Sequence, residues 1–184
     1  MKCRIFPALL CAALVLCAGC GGKPSVRQLR NKADTGDVNA QYELGLRYAR
    51  GDKIAADPAT ANGWFRKAAA NGHAEAQLAF ARALLTGNGT VKDRATALGW
   101  LRQASERGLR AAQLELGLTL LNGDDSGSDP AGAVAWLTIA QATSAELSGK
   151  SLTTITAGLS AGQKAAADTI LQEAARRSRG ATAK

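Results

Sequence analysis

The chain has 184 residues, enough for one compact or elongated domain, and 46% of them are apolar, so there is material for a core. Aromatics make up only 4% while Ala and Gly are abundant, which favours close-packed small-residue helices over a bulky aromatic core and starts an all-α reading ahead. The formal charge is +8, and all four cysteines (Cys3, Cys11, Cys17, Cys20) lie at the amino end, which excludes a disulfide scaffold or a thiolate metal site within residues 21–184.

The first segment sets Lys2 and Arg4 before an apolar run of 13 residues from Ile5 to Cys17, followed by Ala18, Gly19 and Cys20. This is the charge–apolar–small order of a secretory signal, and the run is short for a membrane span. The ending Leu16-Cys17-Ala18-Gly19-Cys20 resembles a bacterial lipobox, with Cys17 standing where an aliphatic residue is usual. The resemblance implies a signal peptide over 1–19, cleaved before Cys20, and fatty acylation (palmitate or its like) of that cysteine. A plain signal remnant and an uncleaved anchor are the other readings of Cys20. Loss of Lys2 and Arg4 with the signal lowers the formal charge from +8 to +6. Residues 20–24 are then lipidated cysteine and tether, and the four residues Gly21 to Pro24 reach at most roughly 14 Å. In Gram-negative lipoproteins an Asp after the cysteine retains the protein in the inner membrane. Gly21 in that place implies the outer membrane, facing the periplasm.

Next comes an internal repeat. Shifted by 36 residues, the segments 37–72, 73–108 and 109–144 align without a gap. Eight columns are identical in all three, among them Ala40/Ala76/Ala112, Gln41/Gln77/Gln113, Gly51/Gly87/Gly123, Asp57/Asp93/Asp129 and Trp64/Trp100/Trp136. Residues 25–36 align with the second half of a repeat and are expected as a lone N-terminal capping helix. Each repeat reads as two helices. In the first copy Ala40, Leu44, Gly45 and Tyr48 form the core stripe of one, and Ala61, Trp64, Phe65 and Ala68 that of the other. Gly51, Gly87 and Gly123 mark the turn between them. Asp57, Asp93 and Asp129 can cap the second helix, with Pro58 and Pro130 at its first position. Gly72 and Gly108 stop it.

The pattern from Ala40-Gln41-Tyr42-Glu43-Leu44-Gly45 to Trp64-Phe65-Arg66-Lys67-Ala68-Ala69 resembles the Sel-1-like repeat family, relatives of tetratricopeptide repeats. The second copy departs at Phe80-Ala81, and the third in its loop Asp124 to Ser128 and at Ser144. The resemblance implies an α-solenoid of stacked antiparallel helical hairpins, three 36-residue repeats plus capping helices. Residues 145–184 supply the C-terminal cap and a basic tail. Ser160 and Gln163 have capping-box spacing and open an amphipathic run with Ala166, Ile170, Leu171 and Ala174. Arg176, Arg177, Arg179 and Lys184 read as a solvated end, with phospholipid or nucleic-acid binding as the sharper alternative. No nucleic-acid partner is expected.

No catalytic set, metal site or cofactor is expected. His73 is the single histidine and reads as an exposed turn residue. The loop Asp124 to Asp129 lacks the ligand alternation of a calcium loop, and Gly87-Asn88-Gly89-Thr90 lacks a phosphate-loop lysine. The tryptophans read as structural rather than as a sugar-stacking ladder. What remains is the face of the first helices, which lines the concave side of such a stack. By analogy with tetratricopeptide repeats its outward positions are Tyr42, Leu46 and Arg50, then Leu78, Arg82 and Thr86, then Leu114, Leu118 and Asn122. These either bind a partner protein or peptide or meet the capping helix. The leading expectation is a non-enzymatic protein-interaction scaffold on a lipid anchor. A peptidoglycan- or polysaccharide-binding module is the alternative, and a cell-wall hydrolase the least favoured.

Overall fold

The computed structural model describes residues 24–122, 129–142, 157 and 159–181. Among them are eight helices and no strand: α1 (Val26–Asp34), α2 (Val38–Arg50), α3 (Pro58–Ala70), α4 (Ala74–Thr86), α5 (Arg94–Glu106), α6 (Arg110–Leu121), α7 (Pro130–Ala142) and α8 (Ala161–Ala181). Each helix packs against the next in chain order. Thus α2–α3, α4–α5 and α6–α7 are three successive hairpins, with α1 lying on the first and α8 on the last: the all-α solenoid that the repeat implied. The expectations for Cys20 and its lipobox, for the loop 124–128 and for Lys184 fall outside the described residues.

Local chemistry starts each second helix in the same way. The carboxylate of Asp57 accepts the N–H groups of Ala59 and Thr60, that of Asp93 the N–H of Thr96, and that of Asp129 the N–H of Gly132. These satisfy donors that no helical partner reaches. The Thr60 hydroxyl, its N–H and that of Ala59 together hold the Asp57 carboxyl below the usual range, and Thr96 does the same for Asp93. At the far end the second helices close in one motif. The N–H of Gly72 is donated to Ala69 and that of His73 to Ala68, with the same pair of bonds at Gly36/Asp37 and at Gly108/Leu109. Gly36, Gly72 and Gly108 sit at φ of 93°, 84° and 84°, where a Cβ would be strained.

The invariant glutamine joins the hairpins. Nε2 of Gln41 donates to the carbonyl of Ala33 at 3.1 Å, that of Gln77 to Ala69 at 3.1 Å, and that of Gln113 to Ser105 at 3.2 Å. Each bond ties a first helix to the last turn of the second helix before it. All three glutamines are buried, and in all three Oε1 has no partner.

The core runs down the seam between first and second helices. Ala40, Leu44, Tyr48, Ala61, Phe65 and Ala68 are buried as their spacing required, and so are Leu101 and Leu116. Small residues set the approach within each hairpin. A Cβ at Gly45 would lie 2.5 Å from the Phe65 ring, and one at Gly117 would lie 2.6 Å from Leu137. The second copy instead pairs Ala81 with Leu101, both fully buried.

The closing helix differs from its expected face by one residue. Ser160 and Gln163 do exchange their reciprocal capping bonds. Ala166, however, is exposed, and Ala167 is buried against Ala131 and Ala135 of α7, with Ile170 and Leu171 beside it. The run has alanines at three consecutive positions, 165 to 167, so periodicity alone leaves the face free to rotate by one step. The docked neighbour decides it.

Candidate functional site: the face of the first helices

The first helices lie side by side and share one surface. Arg82 on α4 reaches Glu115 on α6, with Nε donating to Oε2 at 2.7 Å and Nη2 at 2.6 Å from the same oxygen. Arg82 therefore holds two hairpins together as well as facing the groove. The pair is exposed to water, so it stabilises by only about 0.5 kcal/mol.

Steps of four along each helix place the expected groove residues on this surface, but unequally. Tyr42 is half-buried, its ring 4.5 Å from that of His73 and 5.9 Å from that of Phe65. Burial, reinforced by Glu75, raises its phenol above the ordinary range, and Arg50 and Arg82 oppose this. Leu46 and Leu114 are half-buried, Arg50, Thr86 and Asn122 are exposed, and Leu118 is 49% exposed. Leu78 is only 7% exposed and belongs to the core cluster, so it offers a partner almost no surface.

Between α2, α3 and α4 the surface deepens into a pocket of about 170 Å³. Ala49, Ala61, Ala83 and Phe65 give it apolar walls, and Asn62, Arg82, Thr86 and Asn88 supply polar groups. The Asn62 amide donates to the carbonyl of Asn88 at 2.7 Å, which fixes the loop after α4 over the pocket's end. Repeat register explains why the space opens here. The second copy has Ala79 and Ala83 where the first has Glu43 and Arg47 and the third has Glu115 and Thr119. Sequence reasoning passed over these alanines because alanine in such a chain reads as core. The departure from Glu at position 79 was the available signal.

Arg47, at the first joint, was also passed over. It is 2% exposed, its Nη2 lies 3.6 Å from Oε1 of Glu43, and none of its guanidinium nitrogens has a hydrogen-bond partner.

The histidine departs from its expected place. His73 is no exposed turn residue: its side chain is 14% exposed, and Nδ1 accepts the N–H of Ala76 at 3.3 Å as the cap of α4. The residue that follows each closing glycine is also the first residue before the next helix, so it caps that helix where its side chain carries an acceptor, as at Asp37 and His73 but not at Leu109. Asp37 fills the same role at α2, accepting from Ala40. Oε2 of Glu75 stands 3.2 Å from the same Nδ1. A proton on Nδ1 serves Glu75, and a lone pair there serves Ala76, so the atom satisfies one of them at a time.

Trp136 is buried, and Trp64 and Trp100 are half-buried. The Lys67 ammonium lies 4.1 Å over the Trp64 ring, and Trp100 meets Phe80 edge-on at 6.1 Å. Among the described residues no group of three or more His, Cys, Asp or Glu could hold a metal ion, and no helix is long and apolar enough to cross a membrane.

Comparison with known proteins agrees with this architecture. The Sel1 repeat family model matches at residues 38–73, 74–109 and 110–140. A crystal structure of a Sel1 repeat protein from Oxalobacter formigenes superposes with a TM-score of 0.61 at 32% identity, covering 70% of this chain and 97% of that one. A protective antigen of uropathogenic Escherichia coli with an SLR fold superposes with a TM-score of 0.58 at 28% identity, covering 83% of this chain and 40% of that one. The secretory immunoglobulin A-binding protein EsiB of Escherichia coli O6:H1 strain CFT073 is 43% identical over 47 residues, which is 26% of this chain and a tenth (10%) of that protein's length. The chain belongs to the Sel1 repeat family, whose members generally act as protein–protein interaction scaffolds and are typically non-catalytic.

Proposed function

We propose that this protein is a non-enzymatic scaffold, lipid-anchored through Cys20 in the bacterial envelope, that holds a protein or peptide partner on the face of its first helices. The observation that carries this reading is the pocket of about 170 Å³ between α2, α3 and α4, lined by Phe65, Arg82 and Ala83. Small-molecule and cofactor sites run to roughly 300–1,000 Å³, whereas a cavity of about 150 Å³ takes a benzene-sized group. The space therefore suits one apolar side chain of a larger ligand. That the relative named above binds an immunoglobulin, a protein ligand, is in keeping with this.

Filling the pocket with Ala83→Leu and charging the surface with Leu118→Asp separates the reading from its rivals. A crosslinked partner recovered from native membranes is expected to be lost with both variants while the helical content is unchanged. A partner retained by both overturns the groove assignment. Reversal of Arg82 is a poor probe, because it also breaks the bridge to Glu115.

The anchor is supported by the lipobox resemblance of Leu16 to Cys20. Gly rather than Asp at position 21 favours the outer membrane, facing the periplasm, for the lipidated chain. Fatty-acid labelling of the native chain is expected to be lost in Cys20→Ala, and a native chain that carries no label overturns the anchor. A glycan-binding module needs open tryptophan faces. Burial of Trp136 and the lysine over Trp64 weigh against it.

A further inference from the structure

Only two charged registers keep their charge through three successive copies of the repeat. One is Asp57/Asp93/Asp129, and helix capping accounts for it. The other is Arg30/Arg66/Arg102, one arginine at the same place on each of α1, α3 and α5. All three are exposed. Arg30 donates to the Tyr48 hydroxyl and lies over that ring. Arg66 and Arg102 carry no ion pair or hydrogen bond to any described residue, so the fold gives no reason for their recurrence.

The charge of the stack is lopsided in the same sense. Helices α1, α3 and α5 hold seven Lys or Arg against two acidic residues, while α2, α4 and α6 hold four against three. Residues at one register of a solenoid line up along one side of it. The arginines are thus a row on the side carried by α1, α3 and α5 rather than on the face of the first helices. Helix α1 alone supplies three of the cations, and it is the helix that directly follows Cys20 and its four-residue tether.

We propose that the arginine row docks the side formed by α1, α3 and α5 onto an anionic lipid surface, leaving the first-helix groove turned toward the aqueous side. The proposal rests on the lipid-anchor reading for its choice of a membrane as occupant. A short tether keeps the stack within reach of the headgroups, so weak contacts suffice to set its orientation. Each Lys or Arg brought to an anionic surface raises partitioning by about fivefold at moderate salt.

The test uses the full chain carrying Cys20→Ala, sedimented with phosphatidylcholine vesicles with and without phosphatidylglycerol. Comparing the ratio of the two partition coefficients between variants removes the contribution of the amino-terminal run, whose Lys2 and Arg4 are the same in all of them. Arg66→Gln/Arg102→Gln is expected to lower that ratio by roughly 25-fold, the product of two such charges. Lys53→Gln/Lys92→Gln, which removes two exposed loop cations, is expected to leave it within about twofold, and 0.5 M salt to abolish it. An unchanged ratio in the arginine variant overturns the proposal. So does an equal fall in the lysine variant, which assigns the effect to net charge. Arginine-dependent retention on heparin without any dependence on phosphatidylglycerol also overturns it and gives the row to a soluble polyanion. Failure of the anchor is read separately, from the absence of fatty-acid label on the native chain.

Discussion

Arg47 shows what one residue does when the register around it is otherwise apolar or small. Its counterparts are Ala83 and Thr119, and at 2% exposure its guanidinium is held among groups that offer it no hydrogen bond. Glu43, 3.6 Å away, is itself 43% exposed and keeps much of its hydration. Replacing a buried ion by an apolar side chain of similar volume is often neutral or stabilising by roughly 1–4 kcal/mol, because the desolvation cost disappears. Arg47→Met is therefore expected to raise stability by about 1 kcal/mol, seen as a rise of roughly 2–4 °C in the thermal midpoint. A lower midpoint would mean that the guanidinium is satisfied by groups other than Glu43. Periodicity flags positions 44, 45 and 48 as core but says nothing against a long cation at 47, because such side chains usually escape to water. Arg47 does not: it is all but closed off from water.

At the scale of the element, hairpin closeness is set by pairs that face each other across the seam. Gly45 faces Phe65, Ala81 faces Leu101 and Gly117 faces Leu137. The larger the residue on the second helix, or the closer its approach, the smaller its partner on the first must be. Gly45→Val puts two methyl groups where even a Cβ is 2.5 Å from the Phe65 ring. Overpacking of this kind costs about 1–3 kcal/mol, and β-branching in a helix adds a few tenths. A loss near 2 kcal/mol in denaturant unfolding is the expected outcome, and Phe65→Leu is expected to restore part of it. Much of this element-level design was legible before any coordinates. The core stripes of α2 and α3, the aspartate caps and the closing glycines all follow from local rules that hold wherever the chain goes. The role of His73 and the face of α8 did not follow. Each depends on what docks beside it: the helix that begins one residue later in the first case, and α7 in the second.

At the scale of the whole molecule the fold was legible because a repeat states its own neighbour rule three times. The groove was legible only in part. Its direction followed from helix position, but Leu78 sinks into the core, and Arg82 is engaged by Glu115, a contact 33 residues away in sequence. The glutamine column was visible as an identity, yet nothing in it told which atom it would meet, because its acceptor lies in the preceding repeat. That column now makes the joints separable by experiment. In a linear stack each unit is held by its neighbours, so a cut at an end frees one unit and a cut in the middle divides the molecule. Gln41→Ala removes the donor at the joint between α1 and α2, and Gln77→Ala removes it at the joint between the first two hairpins. Each substitution deletes a buried hydrogen bond and leaves a small void, together about 2–3 kcal/mol. Hydrogen exchange in the first variant is expected to rise over α1 alone, with the midpoint of the main unfolding transition shifted little. The second is expected to lower that midpoint and raise exchange across α1 to α5, because both hairpins lose the face that buries them. Equal global destabilisation by the two would show that the stack unfolds as a single cooperative unit and that α1 is part of the core rather than a cap.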